Sequence, residues 1–185
     1  IGKYAPFACS VLSTVFYSTY DEERQEASQG VSRLVTFMGD DGVPTTGVGY
    51  FGNEKNTPMF SQLNLGSNFS RKENEYGTDI FVLGYRFHDE EWADKIVISI
   101  LDGFLGALWN ERLVVNVGGI EVSKSSLDNL IERYHDELIG YTSNYYAVLK
   151  SSETNWIEQD IAGLGKVRLG LLFPEIETNR KVAMI

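Results

Sequence analysis

The most regular stretch of the chain is Trp92, Ile96, Val97, Ile100, Leu101, Phe104, Leu105 and Leu108. These apolar positions recur at helical spacing over about four to five turns, which predicts a helix over 92–108. Its apolar stripe is wide, so it is expected to lie against a sheet with Ile96, Leu101 and Leu105 buried. A second stripe, Leu127, Leu130, Ile131, Tyr134 and Leu138, predicts a helix over 126–138, opened by Ser125 and Asp128 as a capping pair. Between them RLVVNV and IEVS flank Gly118-Gly119, a hairpin pattern.

Elsewhere the pattern is that of strands. LSTVFYSTY (12–20), VSRLVTFM (31–38), VGYFG (48–52) and TDIFVLGYRF (78–87) are rich in β-branched and aromatic residues. The polar stretch 21–30 predicts a loop or turn, and the turn-forming residues of 39–47 predict a hairpin between the second and third strands. A long surface loop is expected over 53–76, and a short helix over 4–12 with Pro6 in its first turn. Tyr145, Tyr146, Val148 and Leu149 suggest a short strand. KVRLGLLFP (166–174) and RKVAMI (180–185) suggest a final hairpin, beyond a soft boundary at 139–144. Hairpins dominate and βαβ units are few, so the expected fold class is α+β with a mostly antiparallel sheet and helices packed on one face.

Composition narrows the class. The chain has 185 residues, 43% apolar and 23% charged, as a globular protein does. No stretch approaches ~18 consecutive apolar residues, so no membrane span is expected. Cys9 is the single cysteine; it cannot build an internal disulfide framework, which fits a reducing, cytoplasmic setting, and core packing is its ordinary role. The net charge is −10 and the densest basic spots are the pairs Arg71-Lys72 and Arg180-Lys181, which read as solvated surface. This segment is not expected to bind nucleic acid directly. The chain begins at Ile1 inside what reads as a Gly-rich turn and stops in an apolar run, so a fragment of a larger protein is expected.

Three features could carry chemistry. Gly2-Lys3 open a short helix, where unpaired N–H groups, the helix dipole and a cation favour phosphate; the plainer reading is a capping turn. Gly77-Thr78 head the strongest strand, where Gly permits close approach and Thr supplies a hydroxyl; the plainer reading is a strand after a turn. Asp89, Glu90, Glu91 and Asp94 could attract a hard cation, but carboxylates at a helix start already suit its dipole, and His88 beside them is an ordinary surface or core residue. No zinc spacing, nucleophile elbow or complete Walker loop occurs, and no catalytic or metal-ligating residue is assigned.

IGKYAPFACS resembles the stretch that follows the Gly-rich lid turn of the GHKL ATPases, the Bergerat-fold family of the gyrase B subunit, the ninety-kilodalton heat-shock chaperone, mismatch-repair ATPases and histidine kinases. YGTDIFVLGY (76–85) resembles the family's Gly-Thr strand, downstream in the same order. More closely, the chain is similar to uncharacterised bacterial ATP-binding proteins with Gly-Lys-x-Ala-Pro-Phe-Ala after the turn. The resemblance covers the first half and implies that residues 1–90 are the distal part of an ATP-binding domain, followed by a transducer-like or family-specific segment, 91–185. It implies ATP and magnesium as cofactors of the intact parent, with Gly2 and Lys3 on the phosphate side and Gly77 and Thr78 beside the adenine pocket. The water-activating Glu, the magnesium-holding Asn and the adenine-reading Asp of the family would all precede residue 1. The fragment is therefore expected to be inactive as an ATPase, with a homodimer or protein partner open to it. Two other readings stand beside this one: a noncatalytic α+β interaction module whose glycines are only turns, and a small-molecule hydrolase using the carboxylates.

Overall fold

The computed structural model describes residues 4–63, 65–66, 70–86, 90–139 and 141–173. It is α+β with antiparallel sheets, and it divides into two compact units, Ile1–Phe87 and His88–Ile185.

The first unit opens with a single helical turn, α1 (Ala5–Ala8), with Pro6 in its first turn. Four strands follow: β1 (Thr14–Tyr20), β2 (Glu26–Arg33), β3 (Val48–Phe51) and β4 (Gly77–Val82), ordered β3-β2-β1-β4 and antiparallel throughout. The polar stretch expected as a loop or turn over 21–30 is a turn that closes in five residues. Asp21 Oδ1 accepts the Gln25 N–H at 2.8 Å and Arg24 adopts φ +62°. Glu26–Gly30 instead begin β2, because their polar groups find partners: Gln62 Nε2 donates to Glu26 Oε1 at 2.9 Å, and the Ser28 and Met59 backbones exchange hydrogen bonds at 2.8 Å. The strand expected over 31–38 ends at Arg33. Leu34–Gly47 form an arm, pinned by Leu34 N–H to Gly47 O (2.6 Å) and Thr45 N–H to Phe37 O (2.8 Å). Its large apolar side chains Leu34, Val35, Phe37, Met38 and Val43 are all exposed.

Strand alternation separates two faces of this sheet. On one, Ser18 and Ser28 are buried and opposite each other, and Leu63 caps them, its N–H donating to Ser18 Oγ at 3.3 Å. Phe16 meets Phe51 edge-on at 5.4 Å between ring centres. The other face carries Val15, Tyr17 and Thr19 of β1 beside Val82, Ile80 and Thr78 of β4. Val15 is fully buried, whereas Ile80 is 52% exposed. Buried Ser10 fastens the end of α1, accepting from Thr14 N–H at 3.1 Å and donating to Leu83 O. Cys9, expected in the core, is exposed: α1 buries no residue, and Cys9 sits at its C-cap, where its carbonyl accepts the Arg86 N–H at 2.9 Å.

The second unit is organised by α2 (Trp92–Trp109), which buries Val97, Ile98, Leu101, Leu105 and Leu108. Ile96, expected in the core, is half-buried, and Phe104 is 55% exposed where α2 kinks (φ −131°, ψ 18°) next to Gly103. The stripe is covered by a hairpin and helices rather than a broad sheet: β5 (Val115–Val117) and β6 (Ile120–Val122) supply Val117 and Val122, and α3 (Leu127–Arg133) supplies Leu127, Leu130 and Ile131. Gly118 and Gly119 both have positive φ, the conformation a two-residue hairpin turn demands. The capping pair is Ser123 with Ser126, not Ser125 with Asp128; a 3₁₀ turn (Lys124–Ser126) precedes α3, which ends at Arg133 rather than at 138.

The short strand expected around 145–149 is instead helix α4 (Thr142–Lys150). Its start is anchored by Asp102 of α2, whose carboxylate accepts the Ile139 N–H at 2.9 Å and the Thr142 hydroxyl. Tyr146 then turns inward, edge-on to Trp109 at 5.9 Å. The last two strands, β7 (Asn155–Ile161) and β8 (Gly165–Leu171), pair with each other. The sequence pattern missed β7 and sought the partner of β8 in 180–185, which lie outside the described residues.

Candidate functional site

Of the four residues singled out by sequence, Gly2 and Lys3 lie outside the described residues. Gly77 and Thr78 open β4, and alternation sends them to opposite faces. Gly77 has φ +146°, a conformation that L side chains rarely adopt, and a Cβ there would come within 2.8 Å of Arg71 Nη1. The close approach that this glycine permits is thus filled by the Arg71 guanidinium. That group is held as a fork on Asp79: Nε and Nη2 donate to Oδ2 and Oδ1, both at 2.7 Å, while Nη1 donates to Glu75 O at 3.0 Å. Arg71 is therefore not the solvated cation its pairing with Lys72 suggested. Gly77 and Asp79 share one strand face, a spacing that could have pointed to a planar cation lying across both. Tyr20 and Tyr76 stack on the same face at 5.8 Å.

Thr78 faces the other way. Its Oγ1 lies 3.2 Å from Thr19 Oγ1, in hydrogen-bond contact across the β1–β4 pair, and Thr78 is exposed. One bond between two hydroxyls leaves further donor and acceptor capacity on the pair. Beside it stand Ile80, more than half exposed, and half-buried Tyr17. This patch combines hydroxyl groups with apolar surface and bears no charge, an arrangement able to take the edge of a flat, neutral, hydrogen-bonding group.

Of the acidic residues at the start of α2, Asp94 is tied into the fold, and Glu91 caps the helix without a side-chain hydrogen bond. The Asp94 carboxylate accepts the Tyr134 hydroxyl and Arg133 Nη2, the latter at 3.2 Å. His88 and Asp89 lie outside the described residues. Among the described residues no three of His, Cys, Asp and Glu converge as a metal site, and no helix is long and apolar enough to cross a membrane.

Electrostatic perturbation concentrates in the second unit. The Tyr134 and Tyr146 hydroxyls are both pushed up to about 12, first by burial and then by hydrogen bonds to Asp94 and Asp128 respectively. Asp128 is held below the usual carboxylate range by its hydrogen bond from Lys150 and then by that from Tyr146. These groups are spent on each other, joining α2, α3 and α4. No protein-family model, curated protein or solved structure matches the chain.

Proposed function

We propose that this chain is the distal part of a GHKL-type ATP-binding domain with a family-specific segment after it, in a cytoplasmic protein that uses ATP binding and hydrolysis to drive conformational change. The observation that carries the reading is the exposed Thr78–Thr19 hydroxyl pair at the start of β4, next to Gly77 and on the less covered sheet face. Its donor set fits the base side of a nucleotide: hydroxyls that can both donate and accept, over apolar neighbours, with no competing charge. In this reading Gly2 and Lys3 meet the phosphates, and the magnesium ligands and the water-activating carboxylate lie upstream. Gly77 serves the site indirectly, by admitting the Arg71 fork that braces the strand behind Thr78.

The test is ATP affinity, measured by calorimetry on the polypeptide that carries this chain with the residues preceding it. Thr78→Val is expected to weaken binding about 2- to 10-fold, the worth of one hydrogen bond. Lys3→Ala should weaken it more than Lys72→Ala, which alters only the surface. Three indistinguishable affinities would overturn the assignment. The isolated chain should show no magnesium-dependent ATP hydrolysis, because the groups that position water and metal are not in it.

One observation favours the second reading, an interaction module without a nucleotide site. Val35, Phe37, Met38 and Val43 on the arm, together with Phe60, are exposed, and such apolar surface commonly marks contact with another molecule.

A further inference from the structure

β4 is the last strand of its sheet, and its hydrogen-bonding register shows which groups its free edge presents. Leu83 N–H donates to Thr14 O at 3.1 Å, so Leu83 and Thr14 form a hydrogen-bonded pair. Alternation then makes Phe81–Phe16, Asp79–Ser18 and Gly77–Tyr20 hydrogen-bonded pairs as well. Thr78, Ile80 and Val82 are the non-bonded pairs with β1, so their N–H and C=O groups point away from the sheet. Among the described residues no hydrogen bond reaches those outward groups.

Natural edges are usually guarded by charged residues, Pro, bulges or extreme shortness. β3, at the other end of the sheet, has four residues. β4 has six, with no Lys and no Pro. Its single charge, Asp79, points to the face where Arg71 neutralises it at 2.7 Å. The three outward residues are uncharged, and Ile80 at their centre is 52% exposed.

We infer that the free edge of β4 pairs antiparallel with β4 of a second copy of this chain, about a twofold axis at Ile80. This register sets Ile80 against Ile80, Thr78 against Val82 and Asp79 against Phe81. The strand's single charge, Asp79, faces Phe81 rather than its own copy and is already paired with Arg71. The strand is therefore compatible with itself despite the chain's net charge of −10, and that self-compatibility is the reason to favour a second copy. The register satisfies the outward N–H and C=O groups of both strands and joins two four-stranded sheets into one of eight, a closed twofold contact. The inference does not depend on the nucleotide reading.

Sedimentation velocity of the whole chain across a concentration series tests it. A dimer is expected, with Ile80→Lys monomeric throughout, its circular dichroism unchanged and its melting equal to that of the wild type diluted until it too is monomeric. A second arm uses cross-linking in a Cys9→Ser background, because Cys9 is exposed and would react itself. Ile80→Cys should form a disulfide-linked dimer on mild oxidation, since paired Cα atoms on the axis lie about 5.5 Å apart, within disulfide reach. Tyr50→Cys on β3 should not. A chain monomeric at every concentration overturns the inference. So does a dimer that survives Ile80→Lys, or one that cross-links through Tyr50 and not through Ile80.

Discussion

Around α2, Val97, Leu101, Leu105 and Leu108 join Val117, Val122, Leu127 and Ile131 in one cluster of twelve buried apolar residues, against which the buried polar residues described in this unit, Ser123, Thr142 and Thr154, are a minority. The interior of the four-stranded sheet is different: beside Val15, Tyr20 and Leu63 its buried residues are Ser10, Ser18 and Ser28. One unit is held chiefly by apolar burial, and polar side chains such as Asp102 and Asp128 fasten its helices from the margin. The other relies on strand ladders and on hydroxyls inside its packing, and leaves Ile80, Tyr50 and Phe51 substantially exposed. The contrast teaches that the two units should fail in different ways.

The largest effect is expected where apolar burial is deepest. Leu101→Ala should cost ~2–5 kcal/mol in chemical denaturation, from lost transfer energy and the cavity left behind. A loss below about 0.5 kcal/mol, a surface value, would reject the account of the second unit.

Next comes a paired test in the first unit. Ser18→Ala removes the acceptor of the buried Leu63 N–H and should cost ~1–3 kcal/mol. Ser28 Oγ is buried without a partner among the described residues, so Ser28→Ala should be neutral or stabilising. Equal losses at both positions, by the same denaturation measurement, would end the claim that hydroxyl bonding supports this interior.

Tyr146→Phe should have the smallest effect, ~0.5–1.5 kcal/mol at neutral pH, for its hydrogen bond to Asp128. Its pH dependence is more telling. The folded tyrosine keeps its proton up to about 12, against 10.0 when unfolded. The associated stability is intact below pH 10 and is lost as pH rises toward 12. Melting curves across that window should fall less steeply for the Phe variant. A slope unchanged from wild type would show that folding does not hold the Tyr146 proton, by burial or by the bond to Asp128.

Sequence legibility follows the same division. The stripe of α2 and the Gly118-Gly119 turn were readable because local periodicity and backbone geometry decide them. The first half of β2 was hidden because Glu26, Ser28 and Gln29 look like loop until residues 52–63 fold over to supply partners, among them Asn56 O for Gln29 Nε2. Helix α4 was misread because Tyr145, Tyr146 and Val148 favour strands in isolation, and the Asp102 anchor that settles the matter is 40 residues from Thr142. At the candidate site the opening of β4 was legible from Gly77-Thr78. The Arg71 fork was not, since only the folded loop brings its guanidinium over a missing Cβ.

The aromatic packing described above also decides what can be seen in solution. Trp92, Trp109 and Trp156 all belong to the second unit; the first has no tryptophan. Trp109 sits edge-on to Tyr146, and Trp156 lies beneath the Arg168 guanidinium at 4.1 Å. Emission excited where tyrosine does not absorb therefore watches one unit only, while far-ultraviolet dichroism adds up both. Any separation between the two unfolding curves measures directly how independently the units melt.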